Sequence, residues 1–420
     1  RIAAPAGEGG SGPVAGDMAR TPGTSSPGRI APSADPSCAE FVRKSSGVGF
    51  AAGSCGNLSS WTAPRATREG FRAAEVSPLV IRGGDGLAGL AAFLPNASDA
   101  EPQLEVFAFD GAGTCRRRIG QVAGEVADAR YELLAALERA GSRALQIGCI
   151  AARPCSSQLL WNERVLETRL STEGVLSVQR IAITQSGQLV LASFIMKPAT
   201  PMPDLGLLVP AETSLDLRLF DAAGALVRQT ALPAPGRLIA IAIAGDDQLF
   251  VLSDELTSDP SADAGAPSRP GSRIDRYDLT LSARASWRAP VSVQLRALDV
   301  SASGQLAIVG SIDEPVRGWV HVLNAANFSD YWPAPVIGMQ GGAFAVQVPA
   351  DGEVLAFGSA TPAEVWLMRY TRGQCVWPTG KIYRSEDQGP GRALELHSAV
   401  QAQRDGSILA SGHGAFGYCD

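Results

Sequence analysis

Hydrophobic and polar positions follow a pattern that keeps returning from about Phe41 onward. A short stretch with every second residue apolar leads into a polar turn ending in Gly or Asp, then an apolar run that closes on small residues. "SGQLVLAS" (Ser186–Ser193) and, 117 residues later, "SGQLAIVGS" (Ser303–Ser311) are its clearest statements. The same form is legible in "RKSSGVGFAAGS" from Arg43, "LVIRGGDGLAGLAAF" from Leu79, "LAALERAGSRALQIG" from Leu134, "IAIAGDDQLFVLS" from Ile241, "VQVPADGEVLAFGS" from Val346 and "AVQAQRDGSILASG" from Ala399. Period-two alternation broken by a Gly-containing turn predicts an antiparallel hairpin. The turn residues Gly47, Gly86, Gly141, Gly187, Asp247, Gly304, Gly352 and Gly406 recur at roughly 40 to 60 residues, the period of propellers and solenoids.

Each unit has a second alternating half, as in "LDLRLFDAAGALVRQ" from Leu215, "RIDRYDLTLSARASW" from Arg273 and "WVHVLNAANFSDYW" from Trp319. Two hairpins make four strands, and four-stranded units repeated around a centre predict an all-β single β-propeller. Its innermost strands, covered on both faces, should be the most apolar, as "IAIAIAG" is. Pooling the two terminal copies into one composite blade gives seven blades, the favoured number; counting them apart gives eight. "DARYELLAALERAGSRAL" (Asp128–Leu145) is rich in helix formers; its register with the other copies favours strands, and a helix there would leave six or seven blades.

"QRDGSILASG" (Gln403–Gly412) and "WLMRYTRGQ" (Trp366–Gln374) resemble the repeats of the Delta-60 group of bacterial β-propellers. The resemblance covers most of the chain after Phe41 and implies an exported repeat propeller.

Composition adds boundaries. Residues 1–37 are almost entirely Gly, Ala, Pro, Ser and Thr, which predicts a disordered tether, with the propeller domain occupying residues 38–420. The formal net charge of −6 gives no broad basic surface and argues against nucleic acid as a partner. No apolar run reaches the length of a transmembrane segment. The chain begins at Arg1 without Met, which raises the expectation that a signal peptide or lipoprotein leader was removed. Seven cysteines without CxxC spacing point to disulfides and an extracellular, cell-surface or periplasmic bacterial protein. Cys149 and Cys155 are expected to pair across one loop, and Cys38 or Cys55 with Cys419 to staple the closing blade. No cofactor is expected.

No Asp box, calcium loop or nucleophile elbow appears. The long segments Lys197–Ser214 and Leu256–Arg273 are expected to rise on one face, beside second-strand ends carrying Asp254, Asp313, Glu314 and His413. These four form the candidate ligand-binding set, the acids able to hold a cation or sugar hydroxyls. The seven Trp residues are read chiefly as packing between blades. A non-catalytic binding or structural module is thus the leading expectation, with a polysaccharide or a protein as extracellular ligand. A polysaccharide hydrolase or lyase using channel-face carboxylates and a protein–protein scaffold are the alternatives.

Overall fold

The computed structural model describes residues 50–51, 58–60 and 71–72 and, from residue 77, the chain outside 85, 96–102, 111–114, 124–129, 151–155, 171–175, 198–199, 203–206, 210–211, 235, 256–270, 313–315, 362–363, 376–380, 386–398, 405–407, 413–414 and 420. The chain divides into Arg1–Pro32 and Ser33–Asp420; the first unit and the whole of the predicted tether, residues 1–37, lie outside the described residues. Among the described residues every regular element is a β-strand, including Arg130–Arg139 and Ser142–Ile150 where helix formers are dense.

Among the described residues seven sheets carry four or more strands, and their strand pairs are antiparallel. Numbered I to VII along the chain, they begin with Ser77–Val80, Arg130–Arg139, Leu176–Ile183, Gly236–Ile243, Val293–Val300, Gly342–Gln347 and Ala399–Ala402. Each first strand pairs with the strand that follows it in the sequence. Each also abuts the first strand of the next sheet, and that of VII abuts that of I. Between I and II the contact includes hydrogen bonds: the Arg82 amide donates to Ala136 O at 2.9 Å and the Glu138 amide to Arg82 O at 2.9 Å.

The repeated phrase is the turn between first and second strands. In sheet III the Thr184 amide donates to Gln188 O at 2.9 Å and the Gly187 amide to Thr184 O at 3.2 Å, which places Gly187 at φ +76°. L-residues avoid that region, so glycine is favoured there. The equivalent Asp247 sits at φ +62° without being glycine; its carboxylate accepts from the Gln185 amide of the neighbouring turn at 3.0 Å, and a short polar side chain is the L-type that tolerates this conformation best.

The small residues closing the phrase have a separate cause. In II, IV, V and VI the register of first against second strand skips one residue, at Leu134, Ile239, Arg296 and Phe344. A β-bulge bends its strand and disrupts the ladder locally. Opposite two of these bulges stand Gly310, where a Cβ would overlap the Gln294 carbonyl, and Gly358, where it would overlap the Gly342 carbonyl and the Trp366 ring. Glycine marks the close approach of a second backbone.

The hydrophobic core lies between successive sheets. One cluster joins III and IV through Val190, Leu217, Ile241 and Val251, and another joins V and VI through Val320, Trp332, Trp366 and Tyr370. Trp161, Trp319, Trp332 and Trp366 are buried, as the packing role expected of them requires; Trp61 and Trp377 lie outside the described residues.

The N-terminal copy departs from expectation. Of "RKSSGVGFAAGS" only Phe50–Ala51 is described, and it pairs with Lys381–Ser385 at the outer edge of VI instead of opening a hairpin of its own. Leu58–Ser60 adds the fourth strand of VII beside Ala415–Cys419, so this sheet draws on both ends of the chain.

Candidate functional site: a cavity walled by the first strands

Two cavities lie among the first strands and share Arg82, Leu137, Ile181 and Ile241 in their walls, so they are successive levels of one channel. The level toward the first-to-second-strand turns, about 280 Å³, is lined from all seven sheets. The other, about 350 Å³, lies at the level of the bulges and is walled by the bulged Leu134, Ile239, Arg296 and Phe344. That volume lies at the lower end of the range for small-molecule sites.

Among the described residues, the walls of the larger cavity are apolar except for Gln146 and four arginines, Arg82, Arg180, Arg237 and Arg296, and none that lines it is acidic. Arg180, Arg237 and Arg296 stand on the first strands of three successive sheets. Arg237 donates to Asp254 Oδ2 at 3.3 Å, and Ser272 Oγ donates to the other oxygen of that carboxylate at 3.3 Å. Arg180 has no carboxylate partner among the described residues; its Nε donates to the carbonyl of the bulged Ile239 at 2.5 Å and its Nη1 to Gln179 O at 2.8 Å. Burial, reinforced by the charge of Arg237, pushes the Arg180 guanidinium down to about 10, which leaves it protonated at neutral pH. Arg296 donates through Nη2 to Gln294 Oε1 at 3.3 Å, while its Nε is buried and unpartnered.

At the second level, charges of both signs meet. Arg139 crosses the channel from sheet II, donating to Ile183 O at 3.3 Å and Ile243 O at 3.4 Å. Asp299 faces Arg82 at 3.9 Å with 22% of its side chain still open, and it accepts from the Val348 amide at 2.8 Å. Partial burial pushes the pKa of that carboxyl above the usual carboxylate range against the pull of Arg82.

Of the residues singled out from sequence, Asp254 lies on the second strand of IV, where Arg237 neutralises it. Asp313, Glu314 and His413 lie outside the described residues, as do Cys38, Cys55 and Cys155. Cys149 sits half-buried beside the core between I and II, and Cys419 closes the third strand of VII. The first long segment carries a two-stranded ribbon, Thr200–Met202 against Leu207–Val209; most of the second lies outside the described residues. Among the described residues no group of three or more His, Cys, Asp or Glu side chains is placed to hold a metal ion.

The arginines escaped the sequence reading because the innermost strands were expected to be the most apolar. Their signal was present. Arg180 falls seven residues before Gly187 and Arg296 eight before Gly304, and the bulge at Arg296 supplies the extra residue.

No family model matches the chain, and no curated protein matches it. Among solved structures it is similar to a protein of unknown function from Dyadobacter fermentans, at 10% identity and a TM-score of 0.46 over 70% of this chain and 99% of that one. It is also similar to a protein of unknown function from Bacteroides caccae, at 11% identity and a TM-score of 0.37 over 64% and 81%. Prolyl oligopeptidase B from Galerina marginata shows 9% identity and a TM-score of 0.42 over 79% of this chain, which spans 45% of that protein.

Proposed function

We propose that residues 38–420 form a closed seven-bladed β-propeller of the Delta-60 kind, exported from a bacterium, that acts as a non-catalytic binding module and takes its ligand at the channel. The observation that carries this reading is a cavity walled by strands from every sheet, with polar groups converging on otherwise apolar walls. Sequential abutment of the first strands, and a fourth strand in VII drawn from the opposite end of the chain, support closure. Closing the ring in this way protects sheet edges that would otherwise be open.

Export is supported by the cysteines. Cys149 and Cys155 stand six positions apart, a spacing that suits a bond across one loop. Leu58 stands opposite Cys419 in the sheet, and Cys55 precedes Leu58 by three residues, which supports a Cys55–Cys419 staple. Such a bond closes a very long loop and would contribute about 6 kcal/mol by the chain-entropy model. No helix among the described residues is long and apolar enough to cross a membrane.

Hydrogen exchange of the full chain, with and without oligosaccharides and small metabolites, tests the reading. Ligand-induced protection in Leu176–Ile183, Gly236–Ile243 and Val293–Val300 is expected. Protection confined to outer strands such as Leu226–Pro233 would favour the scaffold, and appearance of cleaved oligosaccharide would favour the hydrolase or lyase.

A further inference from the structure

The position that Arg180 occupies has equivalents in neighbouring sheets, and the register identifies them. Arg180 pairs with Ala192, in the fourth pair counted from the turn. The residues at the same level, just beyond each bulge, are Ala135, Ala240, Ala297 and Ala345. Alanine therefore satisfies the fold at this level four times, and sheet III alone places a guanidinium there. A charge confined without a counter-charge destabilises a fold, so its presence where alanine suffices calls for a use.

Three independent features converge on that use. Arg180 commits Nε and Nη1 to backbone carbonyls and leaves Nη2 uncommitted among the described residues. Arg296, one sheet beyond Arg237, carries a buried and unpartnered Nε. Both line the same cavity of about 350 Å³, and none of the described residues that line it is acidic. Arg237 contributes less, because Asp254 already balances it.

We infer that this cavity binds a small oxyanion-bearing molecule, its carboxylate or phosphate held between Arg180 and Arg296 and its compact body against the apolar walls around Ile239 and Phe344. The planar guanidinium fork matches the two oxygens of such a group in a way that a lysine ammonium does not. This inference rests on the channel being the binding site.

Isothermal titration of the full chain with citrate, inorganic phosphate and phenyl phosphate, each against sodium chloride at matched ionic strength, tests it. Saturable binding of at least one is expected; citrate alone would identify a carboxylate site, and phosphate or its ester a phosphate site. Arg296→Met should weaken that binding at least tenfold while leaving the thermal midpoint without anion unchanged or higher, because it removes a charge and an unpartnered donor. Arg296→Gln serves as the second variant should the first fold poorly, and Arg180→Lys should weaken binding at least tenfold despite keeping its charge. Absence of saturable binding for all three probes, or unaltered affinity in the Arg296 variants, would overturn the inference. Saturable binding of a neutral sugar with protection of the same inner strands, and no response to the anions, would sink the anion assignment while sparing the channel as a binding site.

Discussion

Replacing Gly310 by Ala adds one methyl group at a place where the fold has no room for it. The new Cβ would overlap the carbonyl oxygen of Gln294, and it would lie 2.8 Å from both the Gln294 carbonyl carbon and Leu295 Cα. All of these are backbone atoms, which cannot swing aside as a side chain can. Two strands must separate just ahead of the bulge at Arg296, which costs about 1 to 3 kcal/mol in overpacking and weakens one or two ladder hydrogen bonds at about 1 kcal/mol each. The expected destabilisation is about 2 to 5 kcal/mol. Gly304→Ala is the control from the same phrase: its φ is +85° but the nearest atom to a new Cβ is 3.9 Å away, so only the backbone term applies, about 1 to 2 kcal/mol. Urea denaturation of both variants, followed by tryptophan fluorescence, measures the ordering. If Gly310→Ala were as mild as Gly304→Ala, the close approach of the bulged backbone would not be what excludes a side chain at the end of the phrase.

Other outcomes follow from burial and charge. Asp299→Asn should raise the thermal midpoint at neutral pH. The pKa of this carboxyl is raised by burial, so its contribution to stability is full below the ordinary carboxylate pKa and falls as pH rises through the raised one. The advantage of the Asn variant should accordingly vanish in acid, and midpoints measured from pH 3 to 8 would contradict this if the two proteins ran parallel. Trp366→Ala, which empties a site with 0% exposure between sheets V and VI, should cost about 3 to 5 kcal/mol in the same urea assay. Tyr277, pushed up to about 12 first by burial and then by Asp275, should still be protonated at pH 11, and ultraviolet difference titration of Tyr277→Phe against the parent chain would show the missing step only above that pH.

Turns were legible in the sequence because each is written in a few contiguous residues, and Gly187, Gly304 and Gly352 at positive φ carry the information alone. The strand character of Arg130–Arg139 could be read only from its register with the other copies, since Leu, Ala and Glu locally favour helix. The pairing of Leu58 with Cys419 left no local trace: the two strands are three and five residues long and meet from opposite ends of the chain. The fate of Phe50–Ala51 was illegible for the same reason, because its hairpin-like phrase says nothing about which edge it will join. Acidic residues at strand ends drew attention as candidate ligands, yet the partner that neutralises Asp254 is Arg237, seventeen residues away. Proximity in the sheet decides such a pairing, and spacing in the sequence does not reveal it.

The bulges connect the building of the sheets to the chemistry at their centre. An inner strand with a strict period of two would turn alternate residues into the space between sheets and leave the channel to the rest. An inserted residue breaks that rule at one level, and it does so in four of the seven first strands. The inserted residues are Leu134, Ile239, Arg296 and Phe344, all of which line the cavity, while alanines at the next position keep the level open. The first strand of sheet III has no bulge, and its full ladder from Leu176 to Ile183 brings Arg180 to the level that alanine holds elsewhere. The same register thus explains why the second strands close on small residues and why two arginines from different strand positions reach one space. Because glycine and alanine fix the geometry at this level, the side chains that differ from sheet to sheet are free to set the chemistry of the cavity, and there the charge is positive.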